Sequence, residues 1–164
     1  MGVRNYLVEG VSGTGKTAVA DELTRLGLHV VHGDRTLAYQ GDPVTGAPTD
    51  TADHEHHLWD VERVRALVAD RSVPVTFCCG GSRNVSRFVA LFDEVFVLQV
   101  DRETLARRLD ARPPGEWGSA PAERELVLRL HTSGEDVPAG VAVDATRPLA
   151  EVVDELLRRA GLGG

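Results

Sequence analysis

Apolar residues along this chain follow two rhythms. Tyr6-Leu7-Val8, Leu28–Val31, Val73–Cys79, Glu94–Val100 and Val141–Val143 are short runs, mostly β-branched or aromatic, closed within a few residues by Gly or Asp. Runs of that kind, apolar without clean alternation, predict strands of a parallel sheet buried on both faces. Between them apolar positions recur every three or four residues, which predicts amphipathic helices. Val19, Leu23 and Leu26 form one such stripe. Leu58, Val61, Val64, Leu67 and Val68 form another and predict a helix from Asp53 to Asp70. Leu105 and Leu109 mark a helix from Asp101 to about Arg112, a further helix covers about Ala122–His131, and Leu149, Val152, Val153, Leu156 and Leu157 face inward on a closing helix. Strands alternating with helices at this spacing imply right-handed crossovers, hence an α/β fold with five parallel strands covered on both sides. Ligands bind such sheets beyond the carboxyl ends of the strands. The chemistry is therefore expected just after Glu9, Val31, Cys79, Val100 and Val143.

Two polar stretches break the alternation. Gly41–Thr51, punctuated by Pro43 and Pro48, is expected to be a mobile surface segment, and Arg112–Pro121, with three prolines, is expected to be a loop. No repeats interrupt the rest, and 164 residues suit one domain with a single core. A net charge of −7 makes a broad cationic surface for nucleic acid or anionic lipid unexpected, so any phosphate must be held locally. The adjacent Cys78 and Cys79 suit neither a disulfide framework nor a spaced metal site, and point to a reducing cytoplasm. The stretch from Met1 to Tyr6 shows no leader or lipid anchor, and no apolar run approaches a membrane span. A monomer or homodimer is expected.

Gly10-Val11-Ser12-Gly13-Thr14-Gly15-Lys16-Thr17 matches G-x-x-x-x-G-K-[ST] in full, between a predicted strand and a predicted helix. Glycines let successive backbone N–H groups turn inward, and the helix N-terminus adds partial positive charge at the same point. A di- or triphosphate fits that concavity. Lys16 would neutralise phosphate oxygens, and the Thr17 hydroxyl would ligate Mg²⁺. Every other basic residue of the chain is Arg, so the lone Lys falls where the motif demands one. A GTPase is excluded, because a guanine-reading Asn-Lys-x-Asp needs a second lysine.

On this loop and the order of motifs around it, the chain resembles the P-loop kinases of the nucleoside, nucleotide, shikimate and gluconate kinase type. The resemblance implies a three-layer P-loop NTPase fold with a short lid and ATP with Mg²⁺ as cofactors. It further implies transfer of the γ-phosphoryl group to a hydroxyl of a small metabolite. In that family a carboxylate after the second strand assists the acceptor hydroxyl and the Mg²⁺ shell, and Asp34 falls there. Arg108 and Arg112, four apart on one helical face, resemble the arginines flanking the lid, here about residues 112–122. The chain departs from many relatives in having no Arg between Pro113 and Ala122, so Arg124 stands in reserve. Arg147, in Val141–Pro148, resembles the segment lying against adenine, although Asp144 or Thr146 there could instead cap the next helix.

The acceptor is expected at about residues 35–60 and just after the third strand. Candidates are Asp34, Arg35, His57, Gly80, Gly81 and Arg83, the glycines allowing close approach and the arginine offering a charged fork. An ordinary tight turn is the alternative for Gly80 and Gly81. His54, His57, Trp59 and Asp60 lie on the predicted helix. They are read as a solvated helix start, an acceptor contact or an adventitious metal site, the zinc-protease pattern failing at Leu58. A nucleotide-binding regulator and a simple nucleotide hydrolase remain open beside the kinase.

Overall fold

The computed structural model describes residues 2–135 and 137–163. Met1, part of the stretch read above as carrying no leader, lies outside them. The main sheet comprises β1 (Gly2–Glu9), β2 (His29–His32), β5 (Val73–Cys79), β6 (Glu94–Gln99) and β7 (Val141–Asp144). Its order is β2-β5-β1-β6-β7, with every pairing parallel. The helices are α1 (Lys16–Arg25), the single turn α2 (Gly33–Thr36), α3 (Val61–Ala69), α4 (Arg102–Asp110), α5 (Pro121–Ser133) and α6 (Leu149–Arg159).

The two-residue period of a strand divides the core in two. Tyr6, Val8, Phe77, Phe96 and Leu98 face one way, onto Val19 and Leu23 of α1, Leu105 and Leu109 of α4, Val127 of α5 and Val153 and Leu156 of α6. Leu7, Cys78, Val95 and Val97 face the other way, onto Leu37, Trp59, Val64, Phe88 and Phe92. The result is the expected three-layer α/β architecture, with the P-loop at the carboxyl end of the central strand.

Three expectations need correction. The stripe on α1 stops at Leu23: Leu26 follows the helix end and is 47% exposed, because Gly27 turns the chain at φ +83°. Asp53–Asp70 is not one helix. Its first part contains β4 (His57–Trp59), antiparallel to β3 (Ala38–Gln40) with Tyr39 opposite Leu58, and the helix begins only at Val61. Leu58 and Trp59 are both buried, Leu58 in a cross-strand pair and Trp59 against Phe88, and Asp60 then accepts the Arg63 N–H at 3.1 Å as the helix cap. Tertiary pairing overrides the helical spacing.

Gly41–Thr51, expected to be mobile, is a closed turn joining β3 to β4. Gly41 bridges Pro48, Asp42 Oδ1 accepts the Val44 and Thr45 N–H groups, and Tyr39 donates its hydroxyl proton to Gly46 O. The polar residues that looked unable to pack supply the bonds that shape this turn.

Candidate active site

Gly13 and Gly15 take φ of +93° and +106°, in the left-handed region that glycine tolerates, and this curls residues 10–15 around a hollow at the start of α1. Thr14 steadies the curl through its N–H and hydroxyl, both donated to Val11 O. Lys16 folds back over the loop, its ammonium donating to Gly10 O and, at 3.2 Å, to Val11 O. Thr17 sits exposed on the first turn of α1. The loop thus has the backbone geometry of a phosphate cradle.

Both predicted arginines reach this loop. Arg108 donates to Thr14 O at 3.0 Å and to Ala145 O at 2.7 Å, tying α4, the loop and the segment after β7 together. Arg112 donates to Ser12 Oγ at 3.0 Å and to Trp117 O. Arg147 lies beside Ala145, its Nε donating to Asp144 O at 3.3 Å. Arg124 pairs with Asp110 at 2.8 Å instead. The end of α4 explains the reach: Arg108 lies in its last turn and Leu105 and Leu109 anchor the helix in the core, whereas Arg112 lies beyond the helix end, on a turn that its N–H closes onto Leu109 O, so the expected shared helical face does not extend to it.

Asp34 is the hub of the opposite wall. His57 Nε2, Trp59 Nε1 and Gly81 N–H all converge on its Oδ1, at 3.1, 3.2 and 3.2 Å, and none of the three falls on Oδ2. Burial works to raise this carboxyl, but the His57 hydrogen bond, the Lys16 charge and the Gly81 N–H outweigh it and hold it below the usual carboxylate range. Asp34 is therefore ionised at neutral pH. Gly80 makes the convergence possible: a Cβ there would stand 2.6 Å from Trp59 Cζ2 and 2.9 Å from Asp34 Oδ1. Trp59 is clamped in turn, its N–H within 3.0 Å of Ser82 Oγ and Asn84 Oδ1.

Between the walls lies a cavity of about 680 Å³ whose lining includes Lys16, Asp34, His57, Gly81 and Arg83. The structure thus brings the loop lysine and most of the acceptor candidates around one space. Arg35, on the exposed side of α2, is not in that lining. His54 and His57 do not share a helical face. His57 holds Asp34, whereas His54 stacks on Trp117 of the loop between α4 and α5, ring centroids 5.2 Å apart. Burial, then the charges of Arg83 and His57, push the His54 pKa down to about 4, so it is neutral near pH 7. Among the described residues there is no group of three or more His, Cys, Asp or Glu poised to hold a metal. Cys78 and Cys79 are core residues, and burial pushes the Cys79 thiol up to about 12.

Among the lining residues that sequence reasoning did not single out, two matter most. Trp117 carries no signal beyond being a tryptophan in a proline-rich loop. Glu9 does carry one, as an acidic residue closing the apolar run Tyr6-Leu7-Val8 of the central strand. It is 2% exposed, and burial raises its pKa to about 7 against the opposing pull of Lys16 and the Gly10 and Ser82 N–H groups.

No protein-family model matches the sequence, and no curated protein matches it. Solved structures do. A sugar kinase from Janibacter sp. HTCC2649 superposes with a TM-score of 0.61 over 97% of this chain and 95% of its own, at 19% identity. A shikimate kinase from Bacteroides thetaiotaomicron gives 0.61 over 97% and 99%, at 15% identity. This chain has the P-loop kinase fold. A gluconokinase from Sinorhizobium meliloti 1021 agrees, with a TM-score of 0.55 over 97% and 91% and 25% identity. Within the described residues of this P-loop kinase fold, no helix is long and apolar enough to cross a membrane.

Proposed function

We propose that this protein is an ATP-dependent phosphotransferase that moves the γ-phosphoryl group to a hydroxyl of a small molecule. One observation carries the reading. The curled loop with Lys16 and the ionised Asp34 line a single cavity with room for an acceptor, which is the geometry phosphoryl transfer needs. A nucleotide-binding regulator would have no use for an ionised carboxylate held by three donors beside the phosphate cradle.

Gly10, Ser12, Gly13, Thr14, Gly15, Lys16 and Thr17 would hold the phosphates, with Arg147 beside the base. Thr17 and the uncommitted Oδ2 of Asp34 would hold Mg²⁺ or its water shell. MgATP, when bound, supplies the phosphoryl group and the divalent charge. Asp34 orients the acceptor hydroxyl and takes its proton as the new oxygen–phosphorus bond forms. Lys16, Arg108 and Arg112 stabilise the charge that spreads over the peripheral oxygens as the bond to the leaving phosphate breaks. His57 keeps Asp34 in place. Gly81, Arg83 and the β3–β4 hairpin bound the acceptor, and Arg35 lies at its margin. The partner is thus a small molecule rather than a nucleic acid or a membrane.

Incubation with MgATP and a panel of nucleosides, sugars, polyols and hydroxy acids, read as ADP released, tests this. ADP release that depends on one class of acceptor is expected. Tight MgATP binding without any acceptor-dependent release would return the regulator, and release that no acceptor accelerates would return the hydrolase.

A further inference from the structure

We propose that Glu9 is an acceptor-binding residue. Its Oε1 takes a hydrogen-bond donor of the acceptor other than the hydroxyl that is phosphorylated, so the acceptor is a polyol or amino alcohol with at least two donor groups. This deepens the phosphotransferase reading and rests on it.

Glu9 ends β1, and the next residue begins the phosphate loop. Its Oε2 accepts the Gly10 N–H at 2.6 Å, whereas Oε1, fully buried, has no hydrogen-bond partner among the described residues. The nearby cations do not supply one. Lys16 is held by Gly10 O and Val11 O and acts on Glu9 through its charge, and the Ser82 N–H also pulls on the carboxylate, yet Oε1 has no partner at full hydrogen-bond geometry among the described residues. A buried carboxylate oxygen left unpaired is expensive, and a side chain that tolerates it inside a site is set up to receive a donor from outside.

The cavity gives that donor a route. Glu9, Asp34 and Gly81 line it together. A Cβ at Gly81 would lie 3.2 Å from both Glu9 oxygens, so glycine there keeps a side chain from pressing against the carboxylate on the cavity side. Gly81 has no positive φ that would demand glycine for backbone reasons, so what the residue supplies is space. An acceptor reaching Oδ2 of Asp34 with one hydroxyl would present a neighbouring group to Glu9. The charge balance selects its kind. Asp34, Asp53 and Glu123 line the cavity with Glu9, against the two cations Lys16 and Arg83, so an anionic group next to Glu9 would be repelled.

The test uses the whole protein with MgATP and three sets of probes. They are D-glucose and adenosine with 2-deoxy-D-glucose and 2′-deoxyadenosine; D-glucosamine and 4-amino-1-butanol; and the single-hydroxyl acids glycolate and lactate. For wild type, removal of the C2 or C2′ hydroxyl should lower kcat/KM about tenfold or more, whereas in Glu9→Ala the same deletion should cost less than twofold. Glu9→Gln separates the two kinds of donor, keeping part of the hydroxyl binding and losing the ammonium binding. Gly81→Ala covers the carboxylate without altering it and should reproduce the selective loss. MgADP affinity by calorimetry should stay within twofold in every variant. Equal sensitivity to the deletion in wild type and Glu9→Ala, or preferred turnover of glycolate or lactate, overturns the assignment while the phosphotransferase reading stands. ADP release unmoved by any probe in wild type that binds MgADP overturns both.

Discussion

The two walls of the cavity are built by different means. The phosphate wall is made by contiguous residues: eight consecutive positions, Gly10–Thr17, carry the turn, the donors and the cation, and the end of one helix and the turn after it bring Arg108 and Arg112 to them. The acceptor wall is made by convergence. Asp34, His57 and Trp59 of β4, Gly81 and Glu9 come from four separate places in the chain and meet because a short antiparallel hairpin is folded against the ends of β2, β5 and β1. A wall written in one stretch tolerates little change of sequence, whereas a wall made by convergence can be re-shaped piece by piece while the fold persists. That difference is why a shared fold with sugar, gluconate and shikimate kinases leaves the acceptor to be decided by this chain's own side chains.

The comparison would break first at Lys16. If the phosphate wall does the electrostatic work, Lys16→Ala should lower acceptor-dependent turnover by about 10²–10³-fold, with the circular dichroism spectrum and melting temperature nearly unchanged. An equally active, folded variant would remove the reason for calling this wall catalytic.

Glu9 sharpens the comparison because it lies where the walls meet. Its pKa is raised from 4.5 to about 7 by burial, so the folded protein binds its proton more tightly than the unfolded chain does. The sign follows: between roughly pH 4.5 and pH 7 the folded state holds the extra proton, and stability falls as pH rises through that window. At about 1.36 kcal/mol per pKa unit, the penalty above pH 7 is on the order of 3 kcal/mol. Wild type without ligand should therefore lose about 2–3 kcal/mol between pH 5 and pH 8.5 that Glu9→Gln does not lose, measured by urea denaturation at both pH values. Parallel pH profiles for the two proteins would show that the carboxyl is solvated rather than buried.

How much could be read in advance follows the same division. The sheet was legible because buried parallel strands must be apolar and their boundaries fall at Gly and Asp, and the phosphate loop was legible because its chemistry is local. Asp34 was found by its place after β2, but what holds its carboxyl low, beside the Lys16 charge, needs His57 and Gly81 brought from 23 and 47 positions away. The segment at residues 53–60 was misread because Leu58 and Val61 fit a helical spacing by chance. The deciding partner, Tyr39, stands across a turn whose polar residues looked like solvent-facing loop. Glu9 went unremarked because a run of apolar residues seemed simply to end there.

The smallest expected effect lies where the loop between α4 and α5 touches the acceptor wall. Trp117 is held by Arg112 through its carbonyl and stacks on His54, so a single residue links the arginine of the phosphate wall to the loop leading into β4. Aromatic pairs of this kind contribute about 0.5–1.5 kcal/mol beyond area burial. Trp117→Ala should therefore raise KM for the acceptor by about 2- to 10-fold, with Trp117→Phe recovering most of it. Turnover at saturation and MgADP affinity should be nearly unchanged, because the carbonyl that Arg112 holds belongs to the backbone and survives the substitution. A fall in MgADP affinity equal to the rise in acceptor KM would mean that the two walls move as one, and that treating them as separable pieces is wrong.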